Sequence, residues 1–568
     1  MEIPDTDLVV VGSGAAGLTA AIVARRKGLR VVVLEKDALV GGTTAISGGV
    51  LWVPGTATGR RQNPEDSPQA VQRYLRHEAG KHLRSDAIDL LLGKGPEMVD
   101  FLERETSVRF APTLYPDYHP DAPGGCSLGR AIVAAPFDTR QLGQERKRLR
   151  PPLKTITFMG MMFNSSNADL KHFFRATRSL ASFKYVAKRL ALHAMELARH
   201  GQAVHVTGGN ALAAMLFKAA AVDLRIPVVT GTAVTGLVTD GGRVVGISGT
   251  HEGNPFRLSA PAGVILACGG FSHDRLLRKA RFEKALTGAS QVSAAVESVT
   301  GDGIRMGLAA GGCLDEPLPQ PAAWMPVSLV PWARGERAVF PHLLDRYKPG
   351  VIAVLRNGKR FTNESNSYHD VGAAAIAHTQ GEPEAAMWLI CDHDAIRRYG
   401  LGYVKPAPLP LRKHVRSGYL CMADDLAELG RKLGINGEEL ERTVAAFNVG
   451  ASRGDDPLFG RGSTAFNRFL GDPERRPNPC VAPIVTPPFF GLKLLVADLT
   501  TFDGLRADSH GKVLRQDGSE VPGLYVAGAD RVSMMGGAYP GPGINLGPHM
   551  TMAYATASAI AENAVRTT

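Results

Sequence analysis

Leu8-Val9-Val10-Val11-Gly12-Ser13-Gly14-Ala15-Ala16-Gly17, the helical stretch from Leu18 to Gly28, and Val31-Val32-Val33-Leu34-Glu35 decide the fold. An apolar run ending in glycine, a G-x-G-x-x-G turn, a run of helix formers and a second apolar run make one β-α-β unit. Gly12 permits the tight turn, Gly14 lets the backbone approach a pyrophosphate, and Gly17 allows close helix-sheet packing, so the helix N-terminus faces phosphates. Glu35 follows Gly17 by 18 residues, where a carboxylate accepts hydrogen bonds from a ribose diol. A lone G-x-G-x-x-G is a weak signal, but with strands, helix and acid in register it predicts a Rossmann-type dinucleotide site.

Working outward, Gly41-Gly42-Thr43-Thr44-Ala45-Ile46-Ser47-Gly48-Gly49 is a loop whose amides and hydroxyls suit a pyrophosphate; the plain alternative is an ordinary turn. Residues 228–250 read as a hairpin, and Gly263 to Gly270 reads as a buried strand running into a glycine turn. Gly523-Leu524-Tyr525-Val526-Ala527-Gly528 is a second such strand-turn, followed by a Gly/Pro-rich loop and a helix beginning near His549. Between them, residues 306–484 carry Pro clusters and helical segments such as Asp424–Phe447. The expected architecture is α/β: a dinucleotide domain discontinuous in sequence (1–305 and 485–568), a basic helical insertion at about 151–200, and an inserted α+β substrate domain at 306–484. No internal repeat or low-complexity tract is evident.

A chain of 568 residues exceeds one ordinary core and implies two packed domains. Hydrophobic residues at 44% and charged residues at 21%, with 64 Gly and 37 Pro, describe a turn-rich globular protein. The start MEIPDTDLVVVG has no basic n-region, and no run of 18 apolar residues occurs, so a cytoplasmic location without a membrane span is expected. Cys126, Cys268, Cys313, Cys391, Cys421 and Cys480 are scattered, without CxxC or a His cluster at ligand spacing; reduced structural thiols and no metal are expected. The net charge of +11 comes without the motifs of nucleic-acid binders, which argues against that class. About half of it lies in one stretch: Lys171, Arg175, Arg178, Lys184, Lys188, Arg189 and Arg199 stand against Glu196 alone. From Phe158 to His200 the chain is apolar and basic by turns, with Met159, Met161, Met162 and Phe163 followed by Phe173, Phe174 and Phe183, so peripheral attachment to anionic lipid competes with a basic lid packing on the protein.

GSGAAGLTAA, GGTTAISGG, ACGG, GKRFTNES and PGLYVAG, in this order, resemble the fumarate reductase/3-ketosteroid dehydrogenase flavoprotein superfamily over nearly the whole chain. Ala538-Tyr539-Pro540-Gly541-Pro542-Gly543-Ile544-Asn545-Leu546-Gly547-Pro548 resembles the YPGPG…GP signature of the 3-ketosteroid Δ1-dehydrogenases. The resemblance implies FAD, held by Gly12, Gly14, Ala15, Ala16, Gly17, Glu35 and Lys36, by Gly42, Thr43, Thr44, Ser47, Gly48 and Gly49, and by Ala267, Gly269, Gly528, Asp530, Asn545 and Leu546. Relatives commonly place Glu or Asn directly after the AG of PGLYxAG to meet the ribityl chain; here that residue is Ala529, with Asp530 as the expected substitute.

Charge separates two branches of this superfamily. Fumarate reductase-like members follow RFxNE with three residues and then an Arg, whereas Arg360-Phe361-Thr362-Asn363-Glu364 is followed by Ser365-Asn366-Ser367 and then Tyr368. Val532 to Val565 also lacks Arg and Lys, so the reacting end of the substrate should be uncharged. By resemblance, Tyr368 is the base that takes the C2 proton of a steroid or similar hydrophobic cyclic ketone, and Tyr118 supports its ionisation. Tyr539 and the Gly543 N–H hold the C3 carbonyl oxygen, and the C1 hydride passes to flavin N5. Tyr115 is the rival for the part given to Tyr118, and His119 stays outside the catalytic set. Reduced flavin would pass electrons to a quinone or another acceptor. A Δ4-(5α)-ketosteroid dehydrogenase, an enone reductase, and a flavin-binding redox sensor or membrane-docking protein are the alternatives.

Overall fold

The computed structural model describes residues 5–158, 160–162, 172–173, 175–176, 179–282, 292–332 and 335–567. Met159, Phe163, Lys171, Phe174 and Arg178 of the basic stretch lie outside the described residues. Leu8–Val11 pairs in parallel with Val31–Leu34 on one side and Gly263–Leu266 on the other. The six-stranded sheet runs in the order Lys512–Leu514, Glu520–Val526, Gly263–Leu266, Leu8–Val11, Val31–Leu34, Val228–Val229, antiparallel only at its first pair. Its central strands Gly263–Leu266, Leu8–Val11 and Val31–Leu34 carry no polar side chain because both faces are covered. Leu8, Val10, Val31 and Val33 face the helices Ala15–Arg26 and Leu546–Thr567, while Val9, Val11, Val32 and Leu34 face the opposite core.

The expected hairpin is present as Thr232–Asp240 and Arg243–His251, extended by Asn254–Ser259 into a three-stranded meander. The C-terminal helix begins at Leu546, three residues before His549. The segment Asp424–Phe447 is two helices, Leu426–Leu433 and Gly437–Ala451, because Gly434 closes the first at φ 72° and Asn436 caps the second.

A second, antiparallel sheet carries the inserted region, ordered Arg337–Pro341, Ala322–Pro331, Phe489–Thr501, Ala386–Cys391, Val351–Val354, with Cys421–Ala423 on the long strand. Phe489–Thr501 pairs with both Ala322–Pro331 and Ala386–Cys391, so the boundary expected at 484 falls before the longest strand of the insert's own sheet. The boundary expected at 306 falls inside the helix Asp302–Ala309. In the basic stretch, Leu180–His200 is a helix of 21 residues whose outer side carries Leu180, Phe183, Leu192 and Met195 exposed beside Lys184 and Lys188. No helix among the described residues is long and apolar enough to cross a membrane.

Candidate active site

One cavity of about 770 Å³ runs from the first β-α-β turn to the insert. At the first end, Gly12 adopts φ +109°, and a Cβ there would lie 2.2 Å from the Ala267 carbonyl oxygen. A Cβ on Gly17 would lie 2.0 Å from the Gly12 carbonyl oxygen, which is the close helix-sheet approach the motif requires. In front of Gly14 the space is open, with Thr44 Oγ1 nearest at 3.8 Å, so a phosphate can approach the N-terminus of the helix Ala15–Arg26. Thr44 Oγ1 accepts from the Ala15 N–H at 3.0 Å and fixes the second loop against the first. The Glu35 carboxylate lines the cavity and accepts from Ser13 N–H and Oγ–H at 3.0 and 2.7 Å. Lys36 also lines it, its Nζ donating to Thr300 and Asp302.

Gly12, Gly14, Ala15, Ala16, Gly42, Thr43, Thr44, Ser47, Gly48, Gly49, Ala267, Gly269, Gly528, Asn545 and Leu546 line the same cavity. Two of the expected cofactor contacts do not. Gly17 is a packing residue in the first turn of the helix, against Gly12 and Val10. Asp530 is fully buried, with its carboxylate engaged by the backbone N–H groups of Cys268 and Gly270, and burial pushes its pKa up to about 6. Asp530 therefore braces the Ala267–Gly270 turn from behind and does not replace the missing contact at Ala529, whose own position is on the cavity wall. Sequence reasoning missed Ser13, Asp302 and His549 on that wall; only Ser13, inside the glycine motif, carried a local signal.

At the other end three separated tyrosines meet. The hydroxyls of Tyr368 and Tyr539 are hydrogen bonded at 2.6 Å, with Tyr368 placed as donor, and Asn545 Nδ2 donates to Tyr539 Oη at 3.3 Å. The Tyr118 ring stacks on Tyr539 with centroids 5.5 Å apart and meets Tyr368 edge-on at 5.7 Å. Tyr115 packs on Phe469 at 4.8 Å and borders the same apolar cluster. Burial pushes all three phenols well above 10, and hydrogen bonding with Tyr368 draws Tyr118 partly back. Gly543, at φ +91°, must be glycine because a Cβ would lie 2.4 Å from the Val50 carbonyl oxygen. Among the described residues no acceptor takes the Gly543 N–H, and Gly543 lines the cavity.

Each tyrosine is fixed by its surroundings. Tyr368 opens the helix Tyr368–His378, capped by Ser367, so its hydroxyl group is carried by the positive end of a helix dipole. The motif that precedes it is framework: Arg360 makes paired contacts to Glu364 and Asp456, all buried, and Arg461 is a second cationic partner of Glu364. Tyr118 N–H donates to the Pro540 carbonyl oxygen at 2.9 Å, joining its loop to that of Tyr539. Asp117 anchors the same loop through Trp52 Nε1 and Arg130 Nη1, both at 2.8 Å. His119 Nδ1 lies 2.7 Å from Glu78 and Nε2 3.1 Å from Asp370. Burial pulls its pKa down, but hydrogen bonds to the two carboxylates outweigh this and raise it to about 10. His119 is thus a cation clamping the Tyr118 loop to the Tyr368 helix, a part that its place beside Tyr118 hinted at and the sequence alone did not reveal. The six cysteines are free thiols, and the described residues hold no cluster of His, Cys, Asp and Glu suited to a metal.

Residues 7–546 match the family described as FAD binding domain. The chain is 41% identical over 550 residues, 96% of its length and 92% of the relative's, to 4-oxocyclohex-2-ene-1-carboxylate 5-dehydrogenase of Sinomonas cyclohexanicum. It is 36% identical to the 3-oxosteroid 1-dehydrogenase of Mycobacterium tuberculosis, covering 99% of this chain and 100% of that one. The crystal structure of 3-ketosteroid delta1-dehydrogenase from Sterolibacterium denitrificans in complex with 1,4-androstadiene-3,17-dione superposes with a TM-score of 0.91 at 31% identity, covering 99% of this chain and 100% of that one.

Proposed function

The chain belongs to the FAD binding domain family and is an FAD-dependent oxidoreductase, and from that premise we propose that it dehydrogenates cyclic ketones, with 3-ketosteroids desaturated at the 1,2 position as its leading substrates. The observation that carries this reading is the meeting of Tyr118, Tyr368, Tyr539 and the unpartnered Gly543 N–H at one end of the cavity. The other end fits the cofactor: open space ahead of Gly14 at a helix N-terminus suits a pyrophosphate, and Glu35 suits a ribose. Bound there, FAD supplies the acceptor for the two electrons and the hydrogen leaving C1.

The protein's own part is to hold the ketone and remove a proton. Tyr539 Oη accepts from Asn545 Nδ2 and offers its proton to the ketone oxygen, which the Gly543 N–H meets from a second side. Two donors on that oxygen stabilise the enolate charge that develops as C2 loses its proton, each worth about 3 kcal/mol in such sites. Tyr368 receives the C2 proton. A buried phenol resists ionisation, and Tyr118, expected to support that ionisation, pushes the Tyr368 pKa further up, so its placement at a helix start is what favours the phenolate. Electrons then leave to a quinone or another acceptor.

A second reading, a single-ring keto acid as substrate, is favoured by the 41% identical relative and its name. Anaerobic addition of androst-4-ene-3,17-dione to the yellow protein tests the first: flavin bleaching with a 1,4-diene product is expected. A flavin that stays oxidised with the steroid but bleaches with 4-oxocyclohexanecarboxylate transfers the reading to the second; no bleaching with either removes both. The exposed apolar and basic side of Leu180–His200 supports peripheral attachment, although Val186 and Leu190 of the same helix line the cavity. Failure to co-sediment with anionic liposomes at low salt removes the attachment and leaves the helix as a lid.

A further inference from the structure

Lys405 lines the cavity in the stretch Leu401–Leu409. Its Nζ lies 5.9 Å from the Phe340 ring centroid and 5.6 Å from that of Tyr403, and among the described residues no carboxylate pairs with it. Asp345 is the carboxylate whose charge reaches Lys405, but its oxygens are already engaged. Asp345 accepts from His342 Nδ1 at 2.6 Å, from the Gly402 N–H at 2.8 Å and from the Arg346 N–H at 3.1 Å. Lys348, also on the wall, donates to the carbonyl oxygens of Leu470 and Gly471. The stretch bearing Lys405 is held firmly: Gly402 N–H to Asp345, Tyr403 N–H to Tyr419 Oη at 3.0 Å, and Ala407 N–H to the Arg397 carbonyl oxygen at 2.8 Å. A half-buried ammonium kept in a pinned loop, against aromatic rings and facing a cavity, is costly without an anion.

A run of ring contacts separates this ammonium from the reacting end. Tyr118 touches Phe466 at 4.6 Å and Phe466 touches Tyr347 at 5.8 Å; two residues before Tyr347, Asp345 bonds His342, whose ring touches Phe340 at 5.2 Å. We propose that Lys405 anchors an anion subsite that selects ring ketones carrying a carboxylate at the end remote from the carbonyl. This rests on the cyclic-ketone reading and refines it: the reacting end is met by neutral donors and the far end by one cation. The lone ammonium is a specificity-determining group, not a catalytic one.

The test uses FAD-loaded protein and calorimetric binding of two acids, 4-oxocyclohexanecarboxylate and 3-oxoandrost-4-ene-17β-carboxylate, each against its methyl ester. At least one acid is expected to bind about tenfold or more tightly than its ester, a charge-assisted contact of ordinary strength. Lys405→Gln should abolish that preference and Lys405→Arg restore most of it, with retained yellow colour reporting the fold. An acid-over-ester preference absent from the wild type, or kept in Lys405→Gln, overturns the proposal. Flavin bleaching in the same samples reports separately: Lys405-dependent acid binding without bleaching keeps the subsite and removes the dehydrogenase reading, whereas bleaching without acid preference does the reverse.

Discussion

The two ends of the cavity are built in opposite ways. The cofactor end comes largely from a single continuous stretch, Val11 to Gly49, whose Gly12, Gly17 and Gly49 meet neighbouring backbone at distances no side chain tolerates. The substrate end is gathered from Tyr118, Tyr368, Phe466, Tyr539 and the loop around Lys405, which are far apart in sequence and held by buried ion pairs. Local backbone geometry is enough for a binding motif shared by many chemistries, whereas the chemistry itself depends on long-range packing.

The largest effect should come from the first end. Gly17→Ala places a methyl carbon 2.0 Å from the Gly12 carbonyl oxygen, so the purified protein should be colourless; flavin absorbance per mole of protein measures it, and a yellow variant would break the contrast. At the second end, Tyr368→Phe should keep its flavin yet lose about a thousandfold in the anaerobic reduction rate. Tyr539→Phe removes one of two donors to the ketone oxygen, and about a hundredfold loss is expected in the same assay. The smallest effect concerns His119, raised from its ordinary 6.5 to about 10 by Asp370 and Glu78. Because the folded-state pKa is the higher one, the stabilisation is complete below pH 6.5 and is lost as pH rises through about 10. The Tm difference between wild type and His119→Asn should therefore be largest at pH 6.5 and vanish above pH 10; a gap independent of pH would assign His119 a packing role only.

The same division explains what the sequence disclosed. The first β-α-β unit, the hairpin after Val228 and the glycine turns at 269 and 528 follow from patterns within a dozen residues, and the structure contains them. The tyrosines were legible through chemistry and resemblance, and the fold brings all three together. Asp530 misled because its neighbour in sequence, Ala529, faces the cavity while its own carboxylate turns to the Cys268 and Gly270 amides. Lys405 had no signal at all: a lysine in a proline-rich loop is ordinary until Asp345 and Lys348 beside it prove already bonded.

The strand Phe489–Thr501 joins the two ends. Its first part is paired between strands of the insert, while Leu499 and Thr500 reach the cavity wall and the Thr501 hydroxyl reaches the Ala529 carbonyl oxygen at 3.5 Å. A continuous strand of 13 residues cannot flex like a linker without breaking its ladder. It serves as a gauge block between the Ala529 wall and the insert's own sheet, so the spacing of those two walls is set when the chain folds.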